Sequence, residues 1–467
     1  MPASAAPMKK KAKLKRPSVL REVKHLAREF SHVGREVERS AAYSGRKLYK
    51  HGRMLGPGLI AGAADDDAGG IATYSIAGAQ FGYGLSWLLV LSTPLLIAVQ
   101  SICARIGNVT KKGLAALIRE RYGKKFAIFA ASVLIIANVA IIAADVAGMS
   151  VAVELLTNIP WYWFVLPLSA IILYLVVYKN FATIERWLIY FSLGLVAYII
   201  AGFLSKPDWA VVLKSTLVPH IEFSAPFLMA AVGLLGTTIT PYLFFWQTAT
   251  EIEAKRTEKQ HKRVNFDIFT GMIYSNLISY FIILTTATEL HPLIGKLGAV
   301  DKAADPVRFI AEALRPVAGD YCYYLFAVGL FAASVLAVIV LASSTAYVAS
   351  ETLGWKKGLN KKVKQARGFY TVLTLSVIAG IVILATGLKP IDAMYYSQIL
   401  AGVLDPILLV IIVKLATDKT IMGDHAITGW RKWGAWISIA VIGCFVLFLF
   451  WSWGTTLLGW LGHVLSA

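Results

Sequence analysis

Residues 61–70 read Ala61-Gly-Ala-Ala-Asp-Asp-Asp-Ala-Gly-Gly70 and place three successive carboxylates in the middle of an otherwise apolar stretch, 57–81. One Asp at the centre of a membrane helix costs about 2.5–3.5 kcal/mol, so three facing lipid would cost on the order of 8–10 kcal/mol. They must face something polar. A regular helix fans consecutive side chains about 100° apart, so only an unwound segment could direct more than one of them to a single partner. Gly69 and Gly70 permit that unwinding. A structural alternative is that one Asp caps the following half-helix and another pairs with a remote basic residue.

The surrounding sequence is membrane-like. The chain has 467 residues, 57% of them hydrophobic and 16% charged, with mean hydropathy +0.64, more apolar surface than a soluble core of this size could hide. Apolar stretches long enough for the roughly 30 Å hydrocarbon layer recur at 57–81, 85–106, 126–155, 161–178, 187–204, 224–249, 267–289, 322–350, 369–387, 391–416 and 435–460. The expected class is therefore an all-α membrane protein with eleven transmembrane helices. Cys103, Cys322 and Cys444 are far apart and odd in number, and read as free thiols. No secretory leader is recognisable in the polar opening segment.

The net charge of +19 is unevenly placed, with fifteen Lys/Arg against four Glu in residues 1–53. This segment reads as a basic cytoplasmic tail with an amphipathic helix over 17–52, attracted to anionic lipid headgroups and not to nucleic acid. The runs Lys9–Arg16, Arg105–Lys125, Lys255–Arg263 and Lys356–Arg367 fall on one side of an alternating eleven-span thread. The positive-inside rule then puts the N-terminus in the cytoplasm and the C-terminus outside. Residues 54–467 are expected to form one transmembrane domain. A bacterial inner membrane is the expected location, and the oligomeric state is open, with a monomer among the options.

A second interruption occurs in the sixth span, where Gly236-Thr-Thr-Ile-Thr-Pro241 brings a proline and three hydroxyls to mid-depth. Five spans separate the starts of the two interrupted helices, so two five-span halves have opposite orientation. This predicts inverted repeats over about 54–204 and 224–416, an extra helix at about 435–460, and discontinuous helices 1 and 6 meeting at the midplane. No metal-binding histidine pair, nucleophile-base set or phosphate-binding glycine loop lies within the spans, which speaks against an enzyme.

Gly56-Pro57-Gly58, then twelve residues, then Ile71-Ala72-Thr73 and Ala77-Gly78-Ala79-Gln80-Phe81-Gly82-Tyr83-Gly84 resemble the first span of the natural resistance-associated macrophage protein (NRAMP) transporters. The resemblance, which covers about residues 54–416, implies a LeuT-like fold and divalent metal transport. The family's metal-binding Asp-Pro-Gly-Asn reads Asp67-Ala68-Gly69-Gly70 here, and the methionine position of its sixth-span motif is Thr240. The resemblance thus implies Asp67 as chief ligand; Asp65 and Asp66 stand where the family is usually apolar, and the expectation is that they raise cation density or hold water-mediated contacts. Thr237 and Thr240 present a carbonyl and a hydroxyl, Gly70 leaves room for ion-bound water, and Gln398 approaches the metal in closed states.

Replacing a soft thioether by a hydroxyl removes a preference for Mn and Fe over hard Mg. Mg²⁺ keeps several waters and uses few carboxylates. These substitutions resemble the NRAMP-related magnesium transporter branch, and Mg²⁺, with Mn²⁺, is the expected cargo, with no resident cofactor. In the third span Asp145 matches the family's acidic relay, whereas Asn138 and Gly148 stand where it commonly has glutamates, and its sixth-span histidine is Tyr242. Weak or absent proton coupling follows as the expectation. Thr240 as helix packing and Asp145 as a buried hydrogen-bond partner remain open. So do a conventional proton-coupled Mn²⁺/Fe²⁺ symporter, a sodium-coupled carrier of an organic solute on the same fold, and a divalent-cation channel. Asp405-Pro406, near the middle of the tenth span, is a carboxylate without an assigned role.

Overall fold

The computed structural model describes residues 57–178, 193–254, 261–297, 305–359 and 361–466. The basic tail and its expected amphipathic helix, and the start of the expected fifth span, lie outside the described residues. Helices make up the architecture: α1 (Pro57–Asp65), α2 (Ala68–Phe81), α3 (Ser86–Thr110), α4 (Leu114–Tyr122), α5 (Lys124–Thr157), α6 (Tyr162–Tyr178), α7 (Ala197–Leu204), α8 (Trp209–Leu217) and α9 (Ala225–Thr238). They continue as α10 (Pro241–Glu253), α11 (His261–Glu289), α12 (His291–Leu297), α13 (Pro306–Ala311), α14 (Cys322–Leu353), α15 (Arg367–Ala385), α16 (Pro390–Thr417) and α17 (Gly429–Ser466).

Among the described residues eight helical runs are long and apolar enough to cross a membrane, or nine if the pair Gly194–Leu204 and Trp209–Leu217, bent by 117°, is one span. The expected eleven is therefore not reached by length and hydropathy alone. The causes are local. α1 stops after nine residues at the first break, the second span continues the run that begins at Ala68, and Tyr162–Tyr178 is a short apolar helix. A short helix, α13, begins at Pro306, its first turn capped by Asp305, which accepts from the Arg308 amide at 3.0 Å. Cys103 and Cys322 are buried and Cys444 is exposed, all as free thiols.

Both interruptions lie where the sequence places them. The first leaves Asp66 and Asp67 between α1 and α2, and the second leaves Ile239 and Thr240 between α9 and α10. Pro241 has no amide hydrogen to give to a continuing helix and instead opens α10. The broken helix α9–α10 is central: 94% of its apolar stretch is buried, against 33% for α17, which packs at the periphery. Close backbone approach joins the centre, because a β-carbon at Gly236 of α9 would fall on the backbone of Gln398 and Gly402 of α16. That approach carries Gln398 to the break between α1 and α2.

Candidate functional site

Helix starts leave backbone amides without partners, and the start of α2 uses carboxylates to meet them. Asp67 is its N-cap, with extended backbone, and its Oδ1 accepts from the Gly70 amide at 2.5 Å. The Ala68 amide donates to Oδ1 of Asp145 on α5 at 3.0 Å, and the Ile71 amide to the Asp67 carbonyl at 2.9 Å. Asp67 and Asp145 thereby lie on either side of one half-helix start, whose dipole favours negative charge. Gln398 Nε2 completes the arrangement with 3.2 Å to each Asp67 carboxylate oxygen.

The three consecutive aspartates do not point to one place. Asp65 ends α1, and its oxygens accept from Thr240 Oγ1 at 3.1 Å and Ser275 Oγ at 2.9 Å. Asp66 turns to α11, where Ser275 and Ser279 donate to its Oδ1 at 3.2 and 3.0 Å. Among the described residues no three His, Cys, Asp or Glu side chains converge as a metal cage. Asp67 is thus the aspartate grouped with Gly70 and Gln398, while Asp65 joins the Thr240 break and Asp66 is held to one side.

Thr240 donates to the Thr237 carbonyl at 2.7 Å as well as facing Asp65, and a single hydroxyl hydrogen serves one of them at a time. A β-carbon at Gly70 would come within 2.7 Å of Thr237 Oγ1 and 3.1 Å of Asp67 Oδ1, so a larger residue would have to displace the Thr237 hydroxyl where the two broken helices meet. Tyr242 donates its hydroxyl to the Ala64 carbonyl at 2.8 Å, closing the last turn of α1. Asn138 stands apart, with Nδ2 donating to Thr345 Oγ1 of α14 at 2.9 Å.

Asp65, Asp66 and Asp67 are each 1% exposed and Asp145 is fully buried. Donors to these four carboxylates are hydroxyls, one amide side chain and backbone amides. Among the described residues no Lys or Arg forms an ion pair with any of them. Asp66 Oδ2, Asp145 Oδ2, Thr237 Oγ1 and Gln398 Oε1 are buried without a hydrogen-bond partner. Such an acceptor-rich enclosure is suited to a cation. Beyond α2 a cavity of about 250 Å³ lined by Ile76, Gln80, Pro226, Met229, Asp392 and Tyr395, among others, stops short of the aspartates.

Sequence reasoning missed Ser275 and Ser279. Their spacing of four residues on one apolar span was the available signal, since it lays two hydroxyls on one helix face.

Comparison with known proteins bears on the family and the fold. The family model described as natural resistance-associated macrophage protein-like matches residues 58–452. The divalent metal cation transporter MntH of Deinococcus radiodurans is 26% identical over 399 residues, covering 81% of this chain and 86% of that protein. The Bacillus subtilis MntH is 25% identical over 410 residues, with 85% and 91% covered. Among solved structures, the Eremococcus coleocola manganese transporter superposes with a TM-score of 0.67 at 21% identity, covering 87% of each chain. Mhp1, a nucleobase-cation-symport-1 family transporter, shares the fold with a TM-score of 0.56 at 11% identity over 86% of this chain and 93% of that one.

Proposed function

The chain belongs to the natural resistance-associated macrophage protein-like family, a family of membrane transporters and not enzymes, and on that premise we propose that it carries divalent metal cations by alternating access. The cargo in this reading is partly hydrated Mg²⁺, and also Mn²⁺, with weak or no proton coupling. The observation that carries it is the set of four buried carboxylates around the break between α1 and α2, without a basic partner among the described residues. An uncompensated cluster of this kind is costly in a membrane interior, and a divalent cation offsets it.

The donor set supports a hard ion. Asp67, the Thr237 carbonyl, Thr240 and Gln398 supply oxygen, and no sulfur stands among the proposed ligands. Asp67 is the chief ligand, and Gly70 leaves room for ion-bound water. Asp65 and Asp66 add negative potential from behind the break. The burial of the aspartates from both sides suits an occluded intermediate, with the cavity at Gln80 and Asp392 as the remnant of one entrance. The basic runs at Arg105–Lys125 and Lys356–Arg367, at the end of the bundle opposite that entrance, support a cytoplasmic placement of their end, and the bacterial relatives support a bacterial inner membrane.

The second reading, a proton-coupled Mn²⁺/Fe²⁺ symporter, draws on one observation: Asp145 meets the Ala68 amide directly beside Asp67, where a titrating carboxyl would feel the bound ion. Calorimetric titration of the purified chain with Mg²⁺, Mn²⁺ and Na⁺ tests the proposal. Binding of both divalent ions, lost in Asp67→Ala, supports it. Binding of Na⁺ alone contradicts it.

A further inference from the structure

Two helices that pack along each other carry the same polar pattern at the same spacing. On α16, Gln398 and Asp405 are seven residues apart; on α5, Asn138 and Asp145 are seven apart. Seven residues return an α-helix to the same face within about 20° and advance it about 10 Å. Gln398 and Asp145 both engage the start of α2, one through the Asp67 carboxylate and the other through the Ala68 amide. The two helices are antiparallel: a side chain at Gly148 of α5 would meet Met394 near the start of α16. Asp405 and Asn138 therefore both lie about 10 Å from the Asp67 level, displaced toward the end of the bundle that carries α4 and the basic segment after α14.

These two residues share a second property. Asp405 and Asn138 are fully buried. Neither carboxylate oxygen of Asp405 has a hydrogen-bond partner, and neither has Asn138 Oδ1, while the Asn138 amide is occupied by Thr345. A buried acceptor left without a donor is destabilising, and a carboxylate more so than a neutral group. Each of the three oxygens is an acceptor without a donor, and the register puts them at one level on the two helices that also hold the Asp67 level.

We propose that Asp405 and Asn138 form a second, weaker divalent-cation station, which receives the ion after it leaves Asp67 on its way to the basic end. This rests on the transport reading above. One carboxylate and one amide oxygen are few ligands, so the ion keeps most of its water there, as hard divalent ions do. Weak binding is what a release station requires, since a second tight site would hold the ion.

The test uses the full chain, with Mn²⁺ as the probe. Equilibrium dialysis combined with electron paramagnetic resonance of free Mn²⁺ counts bound ions, and proteoliposomes report uptake. The unmodified chain is expected to bind two Mn²⁺ with affinities at least about tenfold apart. Asp405→Asn keeps the tight site, loses the weak one and lowers maximal uptake about tenfold with KM within about twofold; Asp405→Glu restores the weak site. Asn138→Ala, which leaves the carboxylate in place, lowers weak-site affinity several-fold and serves if Asp405→Asn does not purify as a monodisperse protein. Two unchanged sites with unchanged uptake in Asp405→Asn overturn the inference, as does loss of the tight site together with the weak one. A shifted pH profile of uptake with unchanged Mn²⁺ stoichiometry also overturns it, by making Asp405 a proton carrier. Asp67→Ala separates the two levels of the argument: wild-type binding and uptake in that variant contradict the transport reading itself.

Discussion

Gln398 donates its side-chain amide toward both carboxylate oxygens of Asp67, at 3.2 Å each, and thereby ties α16 to the break between α1 and α2. The same carboxylate caps α2 through the Gly70 amide. The Gln398 side chain carries a buried oxygen, Oε1, without a hydrogen-bond partner. Gln398 is thus placed to orient the chief proposed ligand and to add a ligand of its own.

Gln398→Ala should weaken divalent-ion binding. A hydrogen bond to a charged group is worth about 1.5–3 kcal/mol, so KM for Mn²⁺ uptake should rise by about one to two orders of magnitude. Uptake kinetics in proteoliposomes measure this. An unchanged KM would mean that the Gln398–Asp67 contact has no part in binding.

Gly70→Ala should nearly abolish uptake, because the new methyl group would lie 2.7 Å from Thr237 Oγ1. Overpacking of this kind costs about 1–3 kcal/mol. Gly236→Ala meets backbone of α16 instead and should act mainly on folding. Thermal unfolding followed by size-exclusion chromatography should show the larger loss for Gly236→Ala, and uptake per folded molecule the larger loss for Gly70→Ala.

Ser275→Ala with Ser279→Ala strips Asp66 of both its side-chain donors and leaves Asp65 with Thr240 alone. Leaving a buried carboxylate unpaired costs about 1–3 kcal/mol or more, so the double variant should be less stable. Adding Asp66→Asn removes the charge that needs those donors and should recover part of the loss, a coupling that a double-mutant cycle measures. Additive losses would place the serines in packing only.

Thr240→Met puts a soft sulfur beside Asp65 and should shift the Mn²⁺ over Mg²⁺ uptake ratio upward by about tenfold, equivalent to about 1.4 kcal/mol. Competition of Mg²⁺ against radioactive Mn²⁺ reads the change. No shift would remove Thr240 from the selectivity argument.

The two breaks were legible because Asp65–Asp67 and Thr237–Pro241 violate what a lipid-facing helix tolerates, and the structure interrupts both helices there. Of the seven residues that the sequence suggests for the metal, Asp67, Gly70 and Gln398 are joined by hydrogen bonds at the start of α2. What the sequence could not convey was direction. Asp66 departs toward Ser275 and Ser279, whose hydroxyls look in sequence like ordinary membrane-helix serines bonding their own backbone, as Ser279 also does to the Ser275 carbonyl at 3.1 Å. Tyr242 stood out as a changed family position, but its use as a clasp on the Ala64 carbonyl depends on how closely α1 and α10 approach. Asp405 was visible as a carboxylate, and its relation to Asn138 emerged only from the antiparallel register of α5 and α16. The count of spans was the least readable feature, since helix α1 is cut short by its own functional break.

The most direct test of the account is uptake of Mg²⁺ and Mn²⁺ into proteoliposomes that carry an internal pH dye, with and without an imposed membrane potential, for the unmodified chain and Asp67→Ala. The account predicts Mg²⁺ and Mn²⁺ entry driven by an inside-negative potential, without internal acidification, and lost in Asp67→Ala. Entry of Mn²⁺ with acidification and no entry of Mg²⁺, or unimpaired uptake by Asp67→Ala, would contradict it.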